Sequence, residues 1–151
     1  MGIDPHASLL TAWGLNDDIA GLETFSRTVV EALAGEVAVL KPQARSSSGS
    51  APGASRCWSG PVTEAREAGA LVLMDAKRGD IGSTMAAYAE TFLSPDRALF
   101  SDALTVSPYL GFGSLQPAVD LAKANGCGLF ALALTSTPRA TRSSGPSAPT
   151  G

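Results

Sequence analysis

The stretch "LVLMDAKRGDIGST", Leu71 to Thr84, ends an apolar run in four charges: Asp75, Lys77, Arg78 and Asp80. If a strand continues through Asp75, positions 75 and 77 point to the same side. Asp80 follows Gly79 and either folds back near them or reaches a neighbouring copy of the chain. A lysine held between carboxylates keeps its proton, because opposite charges favour the ammonium form. Such a lysine donates a proton and does not attack as an amine. Two carboxylates beside it repel a bound carboxylate and favour a group that has just lost one. The set therefore suits loss of carbon dioxide followed by protonation of the carbanion left behind. For D-x-K-x-x-D alone, the ordinary reading is a solvated turn with a surface ion pair worth little. Lys41, at the end of the preceding apolar run, moves the balance toward a site.

Positioning such a cluster takes strands that end together. Four short apolar runs read as buried strands: Val37 to Leu40, Leu71 to Met74, Ala103 to Val106 and Leu129 to Leu134. Helical patterns lie between them. One is capped by Asp17 or Asp18, has Ile19, Leu22, Phe25, Val29, Val30 and Leu33 on one face, and stops at Gly35. A second starts at Ser83 or Thr84 and runs through Met85, Tyr88 and Phe92. A third is capped by Ser114, turns Leu115, Val119 and Leu121 inward, and ends at Gly126. This alternation predicts a parallel sheet covered by helices. Each run ends in polar residues: Lys41-Pro42-Gln43, the charge cluster, Ser107-Pro108-Tyr109 and Thr135-Ser136. In parallel α/β folds the site lies at those carboxyl ends.

The 151 residues fit one domain, and 44% hydrophobic content is enough for a core. A net charge of −3 gives no footprint for nucleic acid or an anionic membrane. Two cysteines, Cys57 and Cys127, make no disulfide framework and fit a reducing cytoplasm. No apolar stretch reaches spanning length, and "MGIDPHASLL" does not read as a signal peptide. His6, the single histidine, reads as a turn residue with no metal site around it. "GFGSL", Gly111 to Leu115, lacks phosphate-loop spacing and reads as a turn into a helix.

Two stretches break the pattern. "ARSSSGSAPGASRCWSGP", Ala44 to Pro61, is low in complexity, and so is Thr137 to Gly151. The first lies where a crossover helix is required. Without an apolar stripe it is expected to stay mobile and leave the sheet beneath it uncovered. Cys57 and Trp58, inside it, receive no role.

"DAKRGDIGST", together with "GIDPH", "VLKPQ" and "SPYLGFGSL", resembles the orotidine 5′-phosphate decarboxylases, in the branch whose signature reads D-A-K-R-G-D-I-G. The resemblance implies a (β/α)8 TIM barrel that works as a homodimer with no metal or organic cofactor. It implies that Lys77 protonates C6 of the pyrimidine, that Asp75 flanks that lysine, and that Asp80 reaches the partner subunit's site. Lys41 matches a lysine on the ribose and the charge network, and Asp4 an aspartate on the ribose. Ile81 and Thr84 match residues that pack on the base and touch the ribose. Ser136 matches a serine on the pyrimidine. The chain corresponds to about the first five strands, residues 1–136, with almost no first strand and without the family's later phosphate-binding loops. Residues 137–151 form an anomalous tail.

Read from the third base of the Arg45 codon, permitted codons for residues 45–61 spell "FFERFGSRGIAVLERT", which is family-like and helical. The same shift from Thr137 permits "PEGHEVQRALRTDG". One compensated and one terminal frameshift in a GC-rich gene are therefore expected. Two rival readings stand beside the decarboxylase. One is a non-catalytic α/β module whose cluster binds an anion or a partner chain. The other is a sugar-phosphate decarboxylase of the same barrel superfamily, which "GIDPH" and "KPQ" argue against.

Overall fold

The computed structural model describes residues 1–44 and 56–133. Five strands form one parallel sheet in chain order: β1 (Gly2–Ile3), β2 (Val39–Pro42), β3 (Leu71–Arg78), β4 (Ala103–Val106) and β5 (Gly128–Ala131). The connections carry α1 (Ala7–Ala12) and α2 (Ile19–Leu33), then α3 (Ser59–Glu67), α4 (Gly82–Leu93) and α5 (Gln116–Asn125). Parallel neighbours in chain order need crossovers of one hand, which lay the helices over one face.

Register gives each strand two distinct faces. Leu40 is level with Val72, and Met74 with Leu104 and then Leu129. Leu40, Val72, Met74 and Leu104 are at most 1% exposed, because the helices pack on them. Val39, level with Leu71, and Phe130, level with Thr105, lie on the other face and stay substantially exposed. The polar residues Lys41, Asp75 and Thr105 share that second face by the same period of two. Among the described residues, β1 and β5 are the sheet edges.

Local signals explain most of the helices. Asp18 caps α2, its Oδ1 accepting the Gly21 N–H at 2.7 Å. Leu22, Phe25 and Val30 face the core, whereas Ile19 is exposed on the first turn. The end of α2 differs from expectation. Ala34 caps it with right-handed backbone, and the N–H groups of Glu36 and Val37 return to the Leu33 carbonyl, so no left-handed Gly35 is needed. Gly126 does close α5 with φ 68°. Neither Ser83 nor Thr84 caps α4, which starts at Gly82 after an extended Ile81 without a side-chain cap. The Ser114 hydroxyl instead returns to the Gly111 carbonyl at 2.7 Å, inside a 3-10 turn over Phe112–Leu115. No helix among the described residues is long and apolar enough to cross a membrane.

The low-complexity stretch needs correction. Residues 45–55 and 134–151 lie outside the described part, but Ala44 and residues 57, 58 and 61 are packed in the interior. A 3-10 turn over Arg56–Trp58 leads straight into α3. Trp58, Pro61, Val62 and Ala65 are buried at spacings of three, one and three, which is one helix face. The stripe straddles Pro61, so only half of it lies within the serine- and glycine-rich stretch and no period shows there. Pro61 itself sits in the first helical turn, where its missing N–H costs nothing. Trp58 is 1% exposed, and its indole Nε1 has no hydrogen-bond partner. It therefore stabilises through its ring alone. Trp58→Ala is expected to cost about 3–5 kcal/mol by emptying a core position. Trp58→Phe, which keeps most of the ring volume and removes the orphan donor, should cost less than half of that. The midpoint of urea unfolding, followed by circular dichroism, checks the order.

Candidate active site

The polar rim is built where β2, β3 and β4 end. β3 continues through Arg78, so Asp75, Lys77 and Arg78 belong to the strand and Asp80 alone follows it. Asp75 is 4% exposed. Lys41 Nζ from β2 lies 2.7 Å from its Oδ2, and Lys77 Nζ lies 2.6 Å from the same oxygen. The Thr105 hydroxyl of β4 donates to Oδ1 at 2.9 Å. Burial pushes the Asp75 carboxyl up, but the hydrogen bonds from Lys41, Lys77 and Thr105 outweigh it and hold the group below the ordinary aspartate range. The expected arrangement is thus reversed within one chain: a carboxylate is held between two lysines. The cluster carries one net positive charge, at a rim open to solvent on the lysine side.

Asp4 stands on the same rim at the end of β1. Its Oδ2 accepts from Gln43 Nε2 at 3.1 Å and lies 3.3 Å from His6 Nε2. Gln43 also pairs with Asp75 through the backbone, so Asp4, Gln43 and Asp75 run side by side across three strands. Asp80 is not part of this set. Its Oδ1 accepts the N–H of Ile81 at 2.8 Å, shaping its own turn. Ile81 is 63% exposed and Thr84 is exposed, both at the start of α4 beside the rim. Ser136 lies outside the described residues. Arg78, the fourth charge, has its guanidinium over the Tyr88 ring of α4, 5.4 Å from the centroid.

Sequence reasoning missed Thr105 and Gln43. A threonine inside the apolar run "ALTV" was the available signal for the first, and the same-face spacing Lys41-x-Gln43 for the second.

The end of β3 is bent to make the cluster. Met74 pairs with Leu104 but Arg78 pairs with Val106, so four steps along β3 match two along β4. Lys77, inside this bulge, has φ 50°. Left-handed backbone at a residue with a Cβ costs about 1–2 kcal/mol. Gly79 follows where the chain presses on β4: a Cβ there would overlap the Ser107 carbonyl oxygen.

A parallel sheet of consecutive β/α units, with lysines and a buried aspartate at its carboxyl rim, places the chain in the β/α-barrel class, whose sites lie at that rim. Comparison with known proteins narrows the class. The model of the orotidine 5′-phosphate decarboxylase / HUMPS family matches residues 3–144. The orotidine 5′-phosphate decarboxylase of Streptomyces coelicolor is 70% identical over 138 residues, covering 91% of this chain and 50% of that protein. A solved Streptomyces avermitilis structure assigned to the same activity superimposes with TM-score 0.86 at 66% identity, over 93% of this chain and 50% of that one. Leishmania donovani OMP decarboxylase gives TM-score 0.68 at 27% identity, over 93% and 50%. The chain belongs to the orotidine 5′-phosphate decarboxylase / HUMPS family, and its five strands are an incomplete (β/α)8 barrel. It spans about half the length of the curated relatives it matches.

The lowered Asp75 pKa has a consequence for stability. An unfolded aspartate titrates near about 3.9. A folded group titrating lower contributes stability that is fully present above that value and is lost as pH falls through the folded pKa. Urea unfolding midpoints are therefore expected to drop on acidification below pH ~4. In Asp75→Asn that part of the acid dependence should vanish, while stability at neutral pH falls because two ammonium groups lose their carboxylate.

Proposed function

We propose that the Lys41–Asp75–Lys77 cluster is the reaction centre of an orotidine 5′-phosphate decarboxylase, forming uridine 5′-phosphate in pyrimidine biosynthesis. The observation that carries this reading is that both ammonium groups meet one oxygen of a buried carboxylate at the rim of a barrel of this family. In the reaction, the bond between C6 and the substrate carboxylate breaks, and the electron pair remains on C6. Lys77 Nζ then gives its proton to C6, and solvent restores the ammonium. Asp75 holds the donor in place, and its negative charge opposes the substrate carboxylate more than the product. Lys41 and Asp4 face the ribose. Asp80 reaches the site of a second copy in a homodimer, while Ile81 packs on the base and Thr84 touches the ribose; the exposure of Ile81 and Thr84 at the start of α4 beside the rim supports their use. Ser136 contacts the pyrimidine in this reading. The setting is the cytoplasm, and the reaction needs neither metal nor organic cofactor.

We further propose that the 151-residue polypeptide alone is inactive. Five strands leave an eight-stranded barrel open, and β1 and β5 keep free edges among the described residues. Binding energy from parts of the substrate remote from C6 is needed to assemble a closed site. The frameshift reading belongs here too, and resequencing the gene decides it.

Two measurements test the function. The 151-residue chain, expressed in a host lacking its own decarboxylase, should not support growth without uracil. Joined to the uncovered half of the Streptomyces coelicolor relative, it should convert orotidine 5′-phosphate. In that joined protein Lys77→Ala should lower kcat by a factor of about 10²–10⁴ while a nucleotide analogue still binds. Unchanged turnover in Lys77→Ala would sink the assignment.

A further inference from the structure

The bulge in β3 raises the question of what holds Lys77 in left-handed backbone. Within the bulge, the ordinary ladder between β3 and β4 is interrupted between the Met74–Leu104 and Arg78–Val106 pairs. The Lys77 N–H is satisfied by a side chain: it donates to Thr105 Oγ1 at 2.9 Å. The same oxygen's single proton goes to Asp75 Oδ1 at 2.9 Å. An ionised carboxylate only accepts, so the direction of both bonds is fixed. Thr105 is 7% exposed, and no water competes easily for either bond. Beyond it, the Ser107 N–H donates to the Arg78 carbonyl at 2.7 Å, and Gly79 lies against Ser107. The bend is thus fastened on both sides of Lys77, by a hydroxyl before it and by backbone after it.

We propose that Thr105 is the positioning residue for Lys77: its hydroxyl accepts the Lys77 N–H and donates to Asp75, and so locks the left-handed bend that lays the Lys77 ammonium on the Asp75 carboxylate. Two bonds from one hydroxyl tie the backbone of the proton donor to the acceptor of its side chain. Because Thr105 occupies Oδ1, both lysines are directed to Oδ2. The charged groups around Asp75 are Lys41 from β2 and Lys77 from β3, with Asp4 and His6 one strand further across Gln43. The proposal rests on the decarboxylase reading only for the use to which Lys77 is put.

The test compares Thr105→Val, which keeps shape and removes the hydroxyl, with Thr105→Ser, which keeps the hydroxyl and removes the methyl. Amide hydrogen exchange and carboxyl titration are read by NMR on the 151-residue chain. In Thr105→Val the Lys77 amide should exchange about tenfold faster, the net worth of one hydrogen bond, while the Met74 and Leu104 amides hold. The Asp75 carboxyl should titrate higher. In Thr105→Ser both readings should match the parent. Should Thr105→Val not fold, the serine variant decides by itself, since a role in packing alone would disturb it. Unchanged Lys77 exchange in the valine variant, or equal disturbance in the serine variant, overturns the proposal. Neither readout passes through turnover, so a failed decarboxylation assay leaves this result standing.

Discussion

A carboxylate in the interior of a sheet is tolerated only when its lone pairs are engaged and its charge is answered. Asp75 meets both conditions, and it does so with groups from three strands: Lys41 from β2, Lys77 from its own β3 and Thr105 from β4. Removing any one of them leaves a buried charge less compensated. The cluster therefore works as a clamp across the sheet as well as a candidate reaction centre. The two roles share a cause. What keeps the Lys77 ammonium against Asp75 is the same Coulomb attraction that makes Asp75 bearable where it stands.

Geometry at the end of β3 follows from that constraint. A regular strand would pair with β4 residue by residue, but here the ladder slips by two between Met74 and Arg78. The slack is taken up by Lys77 at φ 50° and by Gly79 pressed on Ser107. The charges are thereby sorted. Asp75 and Lys77 meet on the open face, Arg78 stacks on Tyr88 at the helices, and Asp80 closes its own turn. A local cost in backbone energy is exchanged for a directed ammonium group, which is the usual place to find strain.

The rest of the molecule supplies a rigid back to this rim. Leu40, Val72, Met74 and Leu104 form a dry layer under α2 to α5, while Val39, Leu71 and Phe130 look out from the other face. In a closed barrel that other face is interior. The chain spans half of its relatives, and this face is where the sheet is least covered.

Sequence alone determined β2 to β5 and α2, α4 and α5, because apolar runs of four and helical stripes are local patterns; the short β1 and α1, and α3 with its divided stripe, gave no such pattern. It also determined the three charged members of the cluster: Lys41, Asp75 and Lys77 were legible from strand ends and a two-residue period. Other features depended on distance in space. Trp58 was hidden because its apolar stripe crosses a proline within a segment rich in serine and glycine. Thr105 was hidden because its partners lie about thirty positions away on β3, and nothing in "ALTV" states which neighbour it will meet. For Asp80 the sequence left two places open, beside Lys77 or on a neighbouring copy; within one chain its Oδ1 accepts the Ile81 N–H. Types and periods along a chain fix which face a residue takes. Only the register between strands, set by packing over the whole sheet, decides that one carboxylate oxygen receives two lysines.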